Sequence, residues 1–187
     1  EATAVNSEST DLKRIVDGRG VTPGSFATLQ AALTSPVDPN AKTLHVLLKF
    51  NDVLEVPLTS FVGVSVEIES ASDCRPILVF KPSETPEGGS GERMFFLDSA
   101  QVTMRGVRIE FTVPTRDVAT PYWSVFEAVG NSNLILEDSS VMVCNMTGSS
   151  YVSPLHSDVA FFRASAGKSF GPFPRSDQSE RSATTDG

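Results

Sequence analysis

After Pro36 the chain carries short apolar runs instead of long amphipathic periods. These runs are rich in Val, Ile, Leu and Phe, and they are separated by residues typical of turns, namely Gly, Pro, Ser, Asn and Asp. A succession of brief apolar runs bounded by turn residues predicts many short β-strands. We therefore predict an all-β fold in which one early helix is the exception.

The apolar runs align with one another in three series, which recur in a fixed order at intervals of roughly 30 to 40 residues. Face a comprises residues 55–58, 94–97, 124–127 and 159–162. Face b comprises 64–68, 102–105 and 134–137, and face c comprises 77–80, 107–111 and 141–144. A chain that visits three faces in rotation winds a three-sided coil. Each strand then lies parallel to its counterpart in the next turn, about 4.8 Å away.

The alternation of side chains on face b supports this coil. We expect the apolar position of each strand to align toward the interior: Val66, Met104 and Leu136. The next position along each strand points outward and is charged, with alternating sign: Glu67, Arg105 and Glu137. Neighbouring turns would then attract through this outward row, which favours the register.

Phenylalanine accounts for most of the aromatic residues, with 12 Phe against two Tyr and one Trp. Phe stacks in a core without needing a hydrogen-bond partner. We expect Phe96 and Phe126 to point inward on face a and to stack with Phe161 or Phe162 in the following turn.

A glycine-rich turn and a short helix precede the repeating strands. Residues 17–20 read Asp-Gly-Arg-Gly, which predicts a turn. Ser25 is the predicted N-cap of a helix that runs from Phe26 to about Leu33, because apolar residues recur there at helical spacing and Pro36 follows.

Residues 16–20 and 25–33 resemble the N-terminal strand, glycine turn and capping helix of the right-handed parallel β-helix, or pectin-lyase-like, family. The resemblance implies a right-handed parallel β-helix of about three coils over residues 14–164, closed at its start by the helix. It says little about activity, because the superfamily contains polysaccharide lyases, hydrolases, esterases and non-catalytic modules.

The order of segments, from the capping helix through residues 75–80 to the later coils, is also similar to β-helix regions attached to bacterial protein-kinase-related proteins, especially those of planctomycetes. This resemblance implies a module of a larger bacterial protein. We expect an extracytoplasmic or cell-surface location. The sequence has no kinase glycine loop or catalytic-loop motif, so we expect no kinase activity.

The composition changes at both ends of the repeating region. We predict a flexible arm over residues 1–13 and a linker or C-terminal tail over 165–187, where Phe170 and Phe173 are the apolar anchors. A parallel β-helix that stops after three coils leaves an open strand edge. Either these two residues cover it, or further coils follow, or copies of the chain self-associate through it.

The net charge of −8 excludes some partners, because an acidic chain without a basic cluster is repelled by phosphate backbones. We expect no nucleic acid partner. No apolar run approaches the roughly 20 residues that span a bilayer, so we expect no direct membrane insertion.

A converging catalytic set is not predicted. The acidic and basic residues Asp98, Glu127 and Arg163 on face a come closest, but Asp98 is expected to align with Ala128, and Glu127 with Leu97 and Phe162. His45 and His156 have no partner at metal-ligand spacing, and Cys74 and Cys144 are too far apart for a disulfide. We predict a non-catalytic module without cofactor or metal and with two free thiols. A polysaccharide-active lyase or hydrolase is the alternative.

The longest insertions all separate face c from face a, over residues 81–93, 112–123 and 145–158. Equivalent loops of successive coils stack, so they build one side of the molecule, which often binds the ligand in repeat proteins. The candidate binding residues on these loops are Trp123, Tyr122, Tyr151, Arg116 and Asp117, with His156 and Asp158 beside them.

Amphipathic aromatic residues beside hydrogen-bonding groups suit a carbohydrate, and a protein ligand is the other partner considered. The competing interpretation, which we favour, is that Trp123 and Tyr122 begin a strand and pack over the open side of the core.

Overall fold

The computed structural model describes residues 12–36, 41–81, 92–113, 122–144 and 158–165. Within these ranges the chain forms a parallel β-solenoid of about four turns with one short helix, which confirms the predicted fold class. The predicted arm and tail fall almost entirely outside the described residues. No helix in the described ranges is long and apolar enough to cross a membrane.

Every strand pair within the three sheets is parallel, and the sheets correspond to the three predicted faces. Face b contains β1 (Leu12–Val16), β2 (Ser25–Phe26), β3 (Leu44–Leu48), β6 (Ser65–Ser70), β9 (Gln101–Arg105) and β12 (Asn133–Glu137). Face c contains β4 (Val53–Val56), β7 (Ile77–Phe80), β10 (Arg108–Thr112) and β13 (Ser140–Cys144). Face a contains β5 (Thr59–Val62), β8 (Glu92–Asp98), β11 (Trp123–Val129) and β14 (Val159–Ser165).

The first turn differs from its predicted assignment. Residues 55–58 were expected on face a, but Glu55 and Val56 belong to β4 on face c, and face a begins with β5. The apolar pattern does not distinguish the faces, and the connection between β4 and β5 is only Pro57 and Leu58, unlike the long insertions of later turns. Strands β3, β4 and β5 therefore complete a turn that the sequence alignment missed.

Tight corners between the faces use left-handed backbone conformations. From face a to face b the corner residues Gly63, Ser99 and Gly130 all have positive φ, between 52° and 63°. The Gly63 N–H donates to the Asp98 carbonyl at 2.9 Å, and the Ser99 N–H donates to the Val129 carbonyl at 3.2 Å. Each corner is thus bonded to the next one, which continues the sheet around the bend.

The interior of face b is apolar, as predicted, and Met104 pairs with Leu136 as expected, although the register between β6 and β9 is shifted by two residues. Val66 pairs with Val102 and not with Met104, while Ile68 pairs with Met104. All four of these side chains are buried. Because inward positions alternate, a shift of two residues keeps the same face inside, so the pattern predicts the face but not the partner.

Phe rings of successive turns contact one another along face a, from the buried Phe61, Phe95 and Phe126 to the half-exposed Phe161. The centroids of Phe61 and Phe95 are 6.2 Å apart, those of Phe95 and Phe126 are 5.3 Å apart, and Phe161 meets Phe126 edge-on at 5.7 Å. The prediction that the Phe96 ring points inward is wrong by one residue. Adjacent Phe residues look identical in a hydrophobicity pattern, and Phe95 is the fully buried one.

The outward row of alternating charge on face b is confirmed for Arg105 and Glu137, which pair in the ladder, whereas the residue opposite Arg105 in β6 is Glu69 and not Glu67. Arg105 Nη1 lies 3.0 Å from Glu67 Oε2, and Arg105 Nε lies 2.5 Å from Glu137 Oε2. Glu67 is opposite Thr103, so the long guanidinium side chain reaches it diagonally. Because the groups are partly exposed, such pairs help to set the register more than they stabilise the fold.

The N-terminal helix is shorter than predicted. Helix α1 spans Leu29–Thr34, and its N-cap is Thr28, whose side chain accepts a hydrogen bond from the Ala31 N–H. The predicted cap, Ser25, lies instead in β2, where its hydroxyl donates to Asp17 Oδ2 at 2.7 Å. Apolar residues recur at helical spacing from Phe26 onward, but Ser25 and Phe26 pair with β1 as a strand and the helix begins later.

Asp17 organises the turn after β1. Its carboxylate accepts hydrogen bonds from the backbone N–H groups of Thr22, Arg19 and Gly20 and from the Ser25 hydroxyl. These bonds, that of Thr22 first, hold the pKa of Asp17 far below its usual range, because they favour the charged form.

Cys74 is buried and free. The side chain of Cys144 lies outside the described part of the chain, so the predicted second thiol stays a prediction.

Candidate functional site

Trp123 is the first residue of β11, and only 2% of it is exposed. Its ring meets Phe111 edge-on, with centroids 6.4 Å apart. This position agrees with the interpretation in which Trp123 covers the core. A buried ring cannot stack on a ligand in this arrangement.

Tyr122 is half-buried and lies immediately before β11 on the outer side of face a. Of the other predicted binding residues, Arg116, Asp117, Tyr151 and His156 fall outside the described residues, and their part in binding stays a prediction. Asp158 is exposed and directly precedes β14.

A row of outward side chains crosses three turns of face a beside Tyr122. Glu127 of β11 lies in register with Phe96 of β8 on one side and with Arg163 of β14 on the other. Arg93, near the start of β8, extends over this row. We call Arg93, Phe96, Tyr122, Glu127 and Arg163 the Glu127 cluster.

Two donors hold the Glu127 carboxylate. The Tyr122 hydroxyl donates to Oε2 at 2.9 Å, and Arg93 Nη1 donates to the same oxygen at 3.2 Å. Arg93 Nη1 also lies 3.4 Å from the Tyr122 hydroxyl oxygen. Only 8% of the Glu127 side chain is exposed, so this charge is largely desolvated and depends on these donors.

The two arginines of the cluster cover its aromatic rings. The Arg163 guanidinium carbon lies 3.9 Å from the Tyr122 ring centroid, and that of Arg93 lies 4.6 Å from the Phe96 centroid. Arg163 also pairs with Asp158, at 2.6 Å between Nη2 and Oδ1. Cation–π contacts and ion pairs therefore connect β8, β11 and β14 across the outer surface.

Burial changes the acid–base behaviour at this corner. It raises the pKa of Tyr122, and the hydrogen bond to the Glu127 carboxylate raises it further. The phenol therefore stays protonated and can donate to Glu127 at neutral pH. Burial also raises the pKa of Glu92, which is opposite Trp123 in the ladder.

Asp98 lies on the same outward face as Glu127, which the sequence does not predict. The expected partners were Ala128 for Asp98 and Leu97 and Phe162 for Glu127, but the ladder pairs Asp98 with Val129 and Glu127 with Phe96. This shift of one residue places Asp98 two positions beyond Phe96, the residue opposite Glu127, and therefore on the same outward face as Glu127. Their Cα atoms are diagonal neighbours, about 8 Å apart from strand rise and spacing.

Long connections enter the same corner in three successive turns, as predicted. They join β7 to β8, β10 to β11 and β13 to β14. Tyr122 and Arg93 of the Glu127 cluster lie where the strands of face a begin, and its other members are the fifth residues of their strands. After β7 the other corners consist of two or three residues, and the connection from β6 to β7 has six. Repeated insertion at one corner gives the solenoid one elaborated side, although most residues of these connections lie outside the described ranges.

Sequence reasoning recognised Tyr122, Glu127 and Arg163 separately but did not connect them, and it missed Arg93. The signal available was the charge of Arg163 in an apolar stretch of β14 and that of Arg93 in β8, which also carries Glu92 and Asp98. The register places Arg163 opposite Glu127 but Arg93 opposite Ser124, so the contact between Arg93 and Glu127 depends on the length of the arginine side chain.

Among the described residues, no group of three or more His, Cys, Asp or Glu side chains could hold a metal ion. Comparison with known proteins found no matching family, curated sequence or solved structure. The chemistry of the site therefore has to be argued from its own geometry.

Proposed function

We propose that this chain is a non-catalytic β-solenoid module, with a structural and ligand-recognition role in a larger bacterial protein. The observation that supports it best is that three long connections enter the solenoid at one corner, beside Tyr122 and Arg93 of the Glu127 cluster. A rigid solenoid that carries variable loops on one side is a common arrangement for binding extended ligands.

The ligand class proposed is carbohydrate. Tyr122 offers a half-buried amphipathic ring, of which the Arg163 guanidinium covers one face, and Arg163 and Asp158 place hydrogen-bonding groups beside it. A sugar ring has an apolar face that stacks on an aromatic ring and hydroxyls that pair with such groups. Tyr151, Arg116 and Asp117 of the connections would extend this surface, while Trp123 would support it from the core.

The state of Glu127 favours binding over catalysis. A glycosidase acid or base must reach the substrate, whereas this carboxylate is almost entirely covered and is held by Tyr122 and Arg93. The cluster thus supports an architectural role for Glu127, which fixes the orientation of Tyr122.

A polysaccharide-active lyase or hydrolase is the alternative, and one observation favours it. Asp98 and Glu127 lie on the same outward face with their Cα atoms about 8 Å apart, and inverting glycosidases place two carboxyl groups about 6.5 to 9.5 Å apart. Glu127 would then have to leave Arg93 and Tyr122 when the substrate binds.

The narrower attribution, to a pectin-lyase-like domain of a kinase-related protein at a bacterial cell surface, is also a proposal. It is supported by the resemblance of residues 16–20 and 25–33 to the first coil of that family. The parallel solenoid and its N-terminal helix are compatible with it.

A binding screen tests the proposal. The parent chain and Tyr122→Ala, Tyr122→Phe and Val62→Ala variants are compared against neutral and acidic polysaccharides. Val62 is exposed on the first turn of face a, away from the cluster. We expect the parent and Val62→Ala to bind at least one polymer and Tyr122→Ala to lose that binding. Equal binding by all variants would reject the proposed surface.

A product assay separates the alternative. The chain is incubated with polygalacturonate and related polymers, with and without calcium, and new reducing ends and unsaturated products are measured. We expect neither. Product formation that Asp98→Asn and Glu127→Gln both abolish would establish the enzyme and contradict the non-catalytic proposal.

A further inference from the structure

The last turn of the solenoid exposes side chains that are buried in the turns before it. Phe162 is 44% exposed, whereas its register partner Phe126 is 0% exposed. Leu134 is only partly buried, while its partner Val102 is buried. The core therefore continues to the end of the described solenoid and is open there.

The strand edges at this end are also open. Strands β12, β13 and β14 are the last members of the three sheets, so one edge of each has no neighbouring strand among the described residues. Such an edge carries backbone N–H and C=O groups that can pair with another strand. We call these three strands the open end.

We propose that the open end is a self-association surface for a second copy of this chain, with β12 antiparallel to β12 of the second copy and Ile135 at the centre. In this pairing Leu134 is opposite Leu136 of the second copy. The inward faces of both strands then meet, and the two cores become continuous.

The charges at the open end favour this occupant. Glu137 is the only charged residue of β12, and the pairing places it opposite Asn133 of the second copy. Within its own chain Glu137 is already paired with Arg105, and Arg163 of β14 is paired with Asp158. Each chain has a net charge of −8, but the two β12 strands can meet without bringing unpaired charges of the same sign together.

The surface of the open end is small, so we expect weak self-association. The three strands contain 5, 5 and 7 residues, below the roughly 20 to 30 residues per side of a standard stable interface. We therefore expect a reversible dimer whose population rises with concentration.

Sedimentation velocity of the full chain, over about a hundredfold range of concentration, tests the proposal. We expect the parent to shift from its monomer mass of 20.0 kDa toward twice that value. Ile135 is 40% exposed and would face its own counterpart. Ile135→Lys and Ile135→Glu should each remain monomeric, because like charges would meet, and an equimolar mixture of the two should recover the dimer.

The control is Val53→Lys, which adds the same charge at an exposed position of the first turn and should dimerise like the parent. Circular dichroism checks that each variant is folded. A parent that stays monomeric at every concentration would overturn the proposal. A mixture that stays monomeric would also overturn it, because Ile135 would not be opposed to itself.

Discussion

The Tyr122 hydroxyl donates a 2.9 Å hydrogen bond to Glu127 Oε2, five residues along the same chain. Arg93 of the preceding turn donates to the same oxygen. The hydrogen bonds of a covered carboxylate are costly to break, because removal of one donor leaves the negative charge less compensated. This bond therefore fixes the position of Tyr122 at the corner where the long connections enter.

Tyr122→Phe removes that hydroxyl and retains the ring. We expect a loss of about 1 kcal/mol in the free energy of unfolding, measured by urea denaturation, because the acceptor is charged and the site is partly exposed. In a Glu127→Gln background the same change should cost less, since the acceptor is then neutral. An equal cost in both backgrounds would mean that the negative charge of Glu127 does not strengthen this bond.

Phe95 and Phe96 provide a direct test of which side of β8 faces the core. Phe95→Ala should lower the free energy of unfolding by about 3 to 5 kcal/mol, because it opens a cavity between Phe61 and Phe126. Phe96→Ala should cost about 1 kcal/mol or less, because that ring contacts Arg93 at the surface. The opposite order of the two effects would contradict the register of face a.

The sequence pattern was sufficient for the architecture, since three apolar series in rotation specify three parallel faces. It was not sufficient for the register. Phe95 and Phe96 have the same hydrophobicity, and a shift of two residues on face b leaves the interior apolar. The register depends on corner geometry, where Gly63, Ser99 and Gly130 take positive φ, and this geometry has only a weak sequence signal.

The corner at Gly130 should tolerate a side chain poorly. A Cβ at Gly130 would lie 2.6 Å from Ser99 Oγ in addition to the strain of φ +63°, whereas a Cβ at Gly63 would meet nothing within 4 Å. We expect Gly63→Ala to cost about 1 kcal/mol from strain and Gly130→Ala to cost more, measured by thermal unfolding. In a Ser99→Gly background the excess at Gly130 should disappear. If the excess persists, the stacked corners do not touch as described.

Asp17 makes a pH-dependent contribution to stability. Its folded-state pKa lies below the ordinary value of 3.8, so the contribution is complete above that pH and is lost as the pH falls toward the folded-state pKa. Asp17→Asn should therefore be less stable than the parent at about pH 7, and the difference should narrow at about pH 2.5. Urea denaturation at both pH values measures it. A difference that does not change with pH would show that the charge of Asp17 is not responsible.

The candidate site was predictable in its location but not in its composition. Loop lengths alone placed it at the corner between face c and face a. Trp123 was selected for its amphipathic ring, yet its place as the first residue of β11 and its contact with Phe111 bury it. The pairing of Tyr122 with Glu127 and Arg93 depends on a register that spans two turns, which the spacing of residues does not reveal.

Electrophoresis of the parent and Tyr122→Ala through native gels that contain a polysaccharide tests the recognition proposal most directly. We predict that at least one polysaccharide retards the parent and that Tyr122→Ala migrates as it does in a gel without polymer. Equal migration of the two proteins in every gel would contradict carbohydrate recognition at Tyr122.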